Sequence, residues 1–133
     1  MKIFIIGDSI SIRYGPYLEQ YLGNGIEYSR KEGVEEALEN LDFPAGANGG
    51  DSGMVLSYLE NRAETEWGDA DVMLINCGLH DIKTDPETGA IQVPLENYKE
   101  NLNRIISLLN RMNTPMIWIR TTPAYEEIHN RPN

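Results

Sequence analysis

Apolar residues along the chain fall into short unbroken runs that alternate with longer stretches of helical spacing. The unbroken runs predict four strands, at Lys2 to Ile6, Ile26 to Ser29, Asp71 to Asn76 and Met116 to Ile119. The second of these strands is the weakest. Apolar positions three or four residues apart predict helices after Gly7 to about Leu22, from Val34 to Leu41, from Val55 to about Trp67, and from Leu95 to Met112.

This alternation of strands and helices, with short connections, calls for a parallel sheet covered by helices on both faces. We therefore predict a single domain over residues 1–133, with the fold class α/β and a three-layer α/β/α sandwich of the flavodoxin-like kind. Only a polar tail follows the strand Met116 to Ile119, so we expect the sandwich to be truncated after strand 4. We expect a further segment or a second chain to cover that strand.

Composition narrows the range of partners. The sequence has 21 acidic and 11 basic residues, a net charge of −10, which argues against a nucleic acid or an anionic membrane surface as partner. No apolar stretch has membrane-spanning length. The single cysteine, Cys77, excludes an internal disulfide, and with two histidines it leaves no zinc cluster, so we expect no metal and no cofactor. A native start at Met1 would indicate the cytoplasm, and a removed leader would indicate secretion.

Ser9 lies where the first predicted strand passes into the first predicted helix. Gly7 allows a tight turn at this point. Ligands of open α/β sheets bind at such strand ends, where the helix amino terminus adds free N–H donors and partial positive charge. Two interpretations follow: Ser9 caps the helix, or its hydroxyl is a nucleophile.

Three loops should converge on the edge of the sheet where the strands end. The first carries Ser9, the second carries the run Gly49 to Gly53, and the third carries His80 and Asp81. A hydroxyl, a bare glycine amide and a side-chain N–H donor around one point suit acyl transfer, because negative charge develops on the carbonyl oxygen during the reaction.

Three motifs in this order resemble those of the SGNH, or GDSL-type, hydrolases. They are Gly7-Asp8-Ser9-Ile10, Gly50, and Gly78-Leu79-His80-Asp81, and the resemblance extends to about Pro123. It implies that Ser9 is the nucleophile and that its N–H is the first oxyanion donor. The Gly50 N–H would be the second donor, and His80 stands where the family has an asparagine, the third.

The resemblance implies a serine esterase that hydrolyses carboxylic esters through an acyl-serine intermediate. Candidate substrates are small-molecule esters and acetylated carbohydrates. The alternative is a non-catalytic ligand-binding or interaction domain with the same fold. A nucleotide-binding domain is disfavoured, because the chain has no Gly-x-Gly-x-x-Gly motif and no Walker-type lysine.

Two positions depart from the family pattern. The first is His80, which replaces the asparagine. An imidazole N–H can donate a hydrogen bond, but the ring is bulkier than the asparagine side chain and titrates near neutral pH. The alternative interpretation is that His80 only caps the loop. The Asp-x-x-His block that supplies the family's general base is missing. Glu126-Glu127-Ile128-His129 has a similar spacing, so His129 is either the base or an exposed loop histidine.

Four further residues near these loops are candidate binding residues. We expect Asp81 to accept hydrogen bonds from loop N–H groups rather than to act in catalysis. Arg13 either borders a substrate pocket or covers the helix surface. Arg120 either meets a polar or anionic group of the substrate or pairs with a carboxylate. Asp8 belongs to the first motif, and Cys77 is expected in the core.

Overall fold

Four strands and five helices follow one another along residues 1–129, the part of the chain that the computed structural model describes. The strands are β1 (Lys2–Ile6), β2 (Glu27–Arg30), β3 (Val72–Ile75) and β4 (Met116–Trp118). The helices are α1 (Ser9–Tyr21), α2 (Val34–Glu39), α3 (Ser52–Thr65), α4 (Leu95–Arg111) and α5 (Glu126–His129).

Each predicted element is present, with its ends moved by a few residues. The largest change is at α3, which begins at Ser52 and not at Val55. It begins early because the Asp51 side chain accepts a hydrogen bond from the Met54 N–H at 2.9 Å and so caps the helix. The short helix α5 was not predicted, because four residues are too few for a periodic pattern.

The strands form a single sheet in the order β2-β1-β3-β4, and all three pairings are parallel. In the centre of the sheet Phe4 pairs with Met73, and at the edge Leu74 pairs with Ile117. Helices pack on both faces of the sheet, so the predicted α/β class with a parallel sheet between helices is confirmed. The carboxyl ends of β1 and β3 are neighbours, as the convergence of their loops requires.

Side chains of β1 alternate between two cores. Phe4 and Ile6 join a large core with α3 and α4, whereas Ile3 and Ile5 join a smaller one under α1. All four are buried, which explains the unbroken apolar run in the sequence. A parallel strand that is covered on both faces has such an unbroken apolar run, and β1 is accordingly an interior strand of the sheet.

Helix coverage of the sheet is uneven at β4. Met116 and Trp118 pack against the core of α3 and α4, but Ile117, which points to the other face, is 52% exposed. The apolar strand that we expected to be uncovered is thus exposed at Ile117. The further segment or second chain that we expect to cover it stays a prediction. None of the helices within residues 1–129 is long and apolar enough to cross a bilayer.

We expect this uneven coverage to appear in unfolding free energies. Ile75→Ala should destabilise the protein by about 2–5 kcal/mol, because Ile75 is fully buried and its loss leaves a cavity. Ile117→Ala should cost about 1 kcal/mol or less, since half of that side chain is already in water. Urea unfolding followed by circular dichroism measures both, and equal losses would contradict the described burial.

Candidate active site

The turn from β1 into α1 is closed by Asp8. Its carboxylate oxygen Oδ1 accepts the Ile10 N–H at 3.0 Å, and its backbone carbonyl accepts the Ser11 N–H at 2.9 Å. Asp8 is buried and is the N-cap of α1, so the interpretation of Ser9 as the helix cap is wrong. Asp8 and Ser9 are adjacent and both side chains suit an N-cap. Asp8 is the cap because its backbone is extended, whereas Ser9 is already the first residue of the helix.

Ser9 is the first residue of α1 and is half-buried. Neither its hydroxyl nor its backbone N–H has a hydrogen-bond partner among residues 1–129. The N–H is one of the donors that the first turn of any α-helix leaves unsatisfied. Ser9 therefore presents one unpaired hydroxyl and one unpaired N–H donor, as far as the described residues show, at the positive end of a 13-residue helix.

Gly7 allows the first and third loops to approach each other closely. A Cβ atom at this position would lie 2.0 Å from the Asn76 side-chain oxygen and 2.9 Å from the Ser11 Cβ. Any other residue at this position would force the Asn76 side chain and the Ser11 Cβ to move. The glycine of the first motif is thus required by packing against the end of β3.

The second loop is joined to the first by backbone pairing. Gly7 and Asn48 form a parallel bridge, and the Gly49 N–H donates to the Gly7 carbonyl at 2.7 Å. This pairing continues the sheet past the end of β1. It brings the glycine-rich loop against Gly7, two residues before Ser9, as the predicted convergence of the first two loops requires.

The bare amide expected at Gly50 is not found. The Gly50 N–H donates to the Asn48 side-chain oxygen at 3.0 Å, and the Asn48 amide donates in turn to the Leu41 and Phe43 carbonyls at 3.1 and 3.3 Å. An asparagine that bonds the amide two residues ahead closes a tight turn, which here leads the chain into α3. Gly50 is therefore not a free oxyanion donor in this conformation.

Asp81 holds the third loop against the start of α3. Its carboxylate, 2% exposed, accepts the Ser52 N–H at 3.0 Å and also the Ser52 hydroxyl. Asn101 of α4 donates to the same hydroxyl at 2.9 Å. Burial raises the pKa of Asp81, and the Ser52 hydrogen bonds oppose that rise. Asp81 bonds a neighbouring N–H group, in agreement with the expected structural role.

His80 is 8% exposed, and its ring makes no hydrogen bond within residues 1–129. Burial lowers its pKa, and the nearby Asp8 carboxylate partly opposes that change. The imidazole is therefore neutral at neutral pH, with one N–H donor and one acceptor nitrogen. The Asp8 carboxylate oxygen Oδ2 is also buried without a partner in this part of the chain.

His129 lies against the same loop. Its Nε2 atom is 2.7 Å from the Leu79 carbonyl oxygen, and the residue is half-buried. A carbonyl oxygen can only accept, so a neutral ring in this position carries its proton on Nε2 and has its lone pair on Nδ1. His129 is therefore anchored to the carbonyl of the residue before His80 and is not the exposed loop histidine that was the alternative.

The remaining candidates divide into surface and core. Arg13 and Arg120 are exposed, and neither forms an ion pair or side-chain hydrogen bond in the described residues, so the carboxylate partner considered for Arg120 is not found there. Cys77 is fully buried, and burial raises the pKa of its thiol, which agrees with a core residue. Among residues 1–129 no group of acidic, histidine or cysteine side chains could hold a metal ion.

Sequence reasoning missed two residues that shape the site, Asn48 and Ser52. The signal for Asn48 was its place two residues before Gly50, the spacing of an asparagine-closed turn. Ser52 carried no comparable signal, because its partner Asp81 is 29 residues away in sequence.

The fold and the three adjoining loops define an α/β protein with a candidate serine-centred site. No protein-family model matches the chain, and no curated protein matches it. The family therefore stays a proposal that depends on the site.

Gly50 and Gly89 form a matched pair for testing the second loop, because both have φ near +70°. An alanine at Gly89 has open space, so Gly89→Ala should lose only about 1–2 kcal/mol for the left-handed backbone. At Gly50 a Cβ would lie 2.4 Å from the Met54 sulfur and 2.9 Å from the Pro44 Cβ, so Gly50→Ala should lose about 1–3 kcal/mol more. Chemical denaturation of the two variants measures the difference, and similar losses would contradict this packing.

The lowered pKa of His80 predicts a pH-dependent stability. Below pH 6.5, the ordinary value, the unfolded chain binds a proton that the folded chain resists. The stabilising effect of neutral His80 is complete above that pH and is lost as the pH falls through the folded pKa. Between about pH 7.5 and about pH 5, wild-type protein should therefore lose more unfolding free energy than His80→Asn, which keeps an N–H donor but does not titrate. Equal losses in urea unfolding would contradict a buried neutral imidazole.

Proposed function

We propose that the protein is an ester hydrolase of the SGNH type that acts through an acyl-Ser9 intermediate. The observation that carries the proposal is the state of Ser9 at the amino terminus of α1, where neither its hydroxyl nor its N–H has a partner within residues 1–129. A structural serine in such a turn would use its hydroxyl to cap the helix, but Asp8 has that role. The hydroxyl is left for chemistry, at the helix end that favours developing negative charge.

Two donors are available for the oxyanion in this proposal. The first is the Ser9 N–H, which is fixed by the helix. The second is the N–H of the neutral His80 ring, which stands in for the family's asparagine and, being without a partner in the described residues, has no competing bond to break. The Gly50 N–H would join them only if the turn closed by Asn48 opened.

His129 is the general base in this proposal. Its contact with Leu79 leaves the Nδ1 lone pair as the proton acceptor, so a backbone carbonyl takes the orienting role that a carboxylate has in many triads. As the Ser9 oxygen bonds to the ester carbon, its proton passes to Nδ1. Collapse of the intermediate breaks the bond to the alkoxide, which leaves as the alcohol with that proton, and water then cleaves the acyl-serine by the same steps in reverse order.

The acidity of the protein favours neutral esters over anionic ones. A net charge of −10 repels anions at low ionic strength, although the Lys83 cation lies close enough to His80 to contribute, after burial, to the lowering of its pKa. Neutral carboxylic esters are therefore the substrate class that we propose.

A non-catalytic ligand-binding domain is the second candidate function. The observation in its favour is the occupied Gly50 N–H, because it removes one donor from the oxyanion site. A binding domain needs no activated hydroxyl at Ser9, and this difference separates the two candidates.

We expect a fluorophosphonate probe to label the wild-type protein at Ser9, because phosphonylation requires an activated hydroxyl. Ser9→Ala should not be labelled and should not turn over p-nitrophenyl acetate. Ser57→Ala, which alters an exposed serine of α3, is the matched control and should behave like wild type. Mass spectrometry of the labelled peptide gives the position of attachment.

The base is tested in the same assay. His129→Ala should slow labelling and turnover by roughly 10²–10⁴-fold without changing the unfolding free energy by more than about 1 kcal/mol. Absence of labelling in wild type would favour the binding domain, and equal turnover by wild type and Ser9→Ala would remove Ser9 from the chemistry.

A further inference from the structure

An apolar pocket of about 230 Å³ adjoins the third loop. Most of its wall is formed by Ile82, Ile91, Val93, Leu95, Tyr98 and Thr121. Gly78 and Asp81 complete it, and these two residues flank Leu79 and His80 in sequence. The pocket therefore borders the loop that carries one proposed oxyanion donor and that anchors His129.

The polar groups of the wall are already engaged inside the protein. The Tyr98 hydroxyl donates to the Cys77 carbonyl at 3.2 Å, and the Thr121 hydroxyl donates to the same carbonyl at 3.1 Å. The Asp81 carboxylate accepts from Ser52. A molecule in the pocket would meet a mainly hydrocarbon surface whose polar side chains are already hydrogen-bonded, so it should itself be apolar there.

Backbone pairing holds the outer wall in shape. Thr84 and Ile91 form an antiparallel bridge, the Gln92 N–H donates to the Lys83 carbonyl at 2.8 Å, and the Val93 N–H donates to the Asp81 carbonyl at 3.0 Å. These bonds fix the loop after Asp81 as a small hairpin. Hydrogen bonds therefore hold the backbone of the outer wall, and exposed side chains carried by this backbone complete the pocket.

The aliphatic residues at this wall are unusually exposed. Ile82 is 49% exposed, Ile91 52% and Leu95 63%, and all three line one pocket. Single exposed aliphatic residues are ordinary, but a cluster around a concavity marks a binding surface.

We propose that this pocket binds the hydrocarbon chain of the ester substrate, with a length of about six to eight carbons; this inference rests on the proposed function. A cavity of about 150 Å³ with similar walls accommodates the six carbons of benzene, so about 230 Å³ admits a chain slightly longer than that. An acetyl group would leave most of the pocket unfilled. Acyl chain and alcohol chain share this chemistry, and two substrate series distinguish them.

The test is kcat/KM for two series of esters with the full chain. One series lengthens the acyl group from p-nitrophenyl acetate to the octanoate, and the other lengthens the alcohol from ethyl to octyl acetate. In one of them we expect a rise of about threefold to fourfold for each methylene that enters the pocket, at least tenfold in all. Length independence in both series would overturn the proposal.

Val93→Trp fills the pocket and should lower the ratio of hexanoate to acetate turnover, or of hexyl to ethyl turnover, toward one. Ile91→Gln, at an exposed wall position, should lower the same ratio without a demand on folding. The matched control is Ile106→Trp in the apolar groove between α4 and β4, which lies on residues outside the three loops and should leave the ratio as in wild type. A ratio that changes equally in the control would overturn the assignment.

A binding measurement separates this inference from the proposed function. Ser9→Ala protein is titrated with methyl hexanoate and hexyl acetate while the methyl resonances of Ile82, Ile91 and Val93 are followed by NMR. Shifts confined to these methyls, with the shifts of Ile82 and Ile91 lost in the double variant with Val93→Trp, support the pocket even if wild type shows no turnover. Turnover by wild type without such shifts would overturn the pocket and leave the hydrolase standing.

Discussion

The architecture of the candidate site depends on the hydrogen bonds between the buried Asp81 carboxylate and Ser52. A carboxylate removed from water must be compensated by hydrogen bonds, and the Ser52 N–H and hydroxyl supply them. Ser52 is in turn held by Asn101, so loop, α3 and α4 meet at one point. The Asp81 backbone carbonyl also accepts the Val93 N–H, which starts the wall of the apolar pocket. One residue thus connects the third loop to two helices and to the proposed substrate pocket.

Gly7 makes a second connection, between the first loop and the other two. Its carbonyl accepts the Gly49 N–H, and its missing side chain leaves space for Asn76 at the end of β3. Since the parallel sheet already aligns the ends of β1 and β3, these short contacts need only close the remaining gap. Ser9 lies two residues after Gly7, and its position is fixed by the end of β1 and by the Asp8 cap of α1. Ser9 is therefore positioned by a strand and a helix cap rather than by a long loop.

Much of the fold could be predicted because its signals are local. Unbroken apolar runs indicated the buried strands, helical spacing indicated α1, α3 and α4, and alternation along the chain indicated a parallel sheet. The meeting of three loops followed from that topology. Asp8 and Ser9 could not be distinguished as caps, because both side chains suit the role and the choice is made by one backbone dihedral. The engaged Gly50 amide was missed because a glycine-rich run does not indicate which side chain will bond it.

Contacts between residues far apart in sequence are the part that no local pattern contains. His129 meets the Leu79 carbonyl across 50 positions, and that contact decides between an anchored and a free imidazole. The two histidines therefore differ in burial and in hydrogen bonding, and the amino-acid composition contains no information on either. Burial keeps His80 neutral and leaves its N–H without a partner in the described chain, which suits a hydrogen-bond donor to an oxyanion.

His129, half-buried with its Nε2 proton engaged, keeps a lone pair on Nδ1, which suits proton acceptance. The two roles require opposite properties of the same side chain, since a donor to an oxyanion must keep its proton while a base must gain one. The two rings differ in environment, since one lies in the interior near the Asp8 carboxylate and the other contacts a backbone carbonyl. That difference is our physical reason for proposing His129 as the base and His80 as the oxyanion contact rather than the reverse.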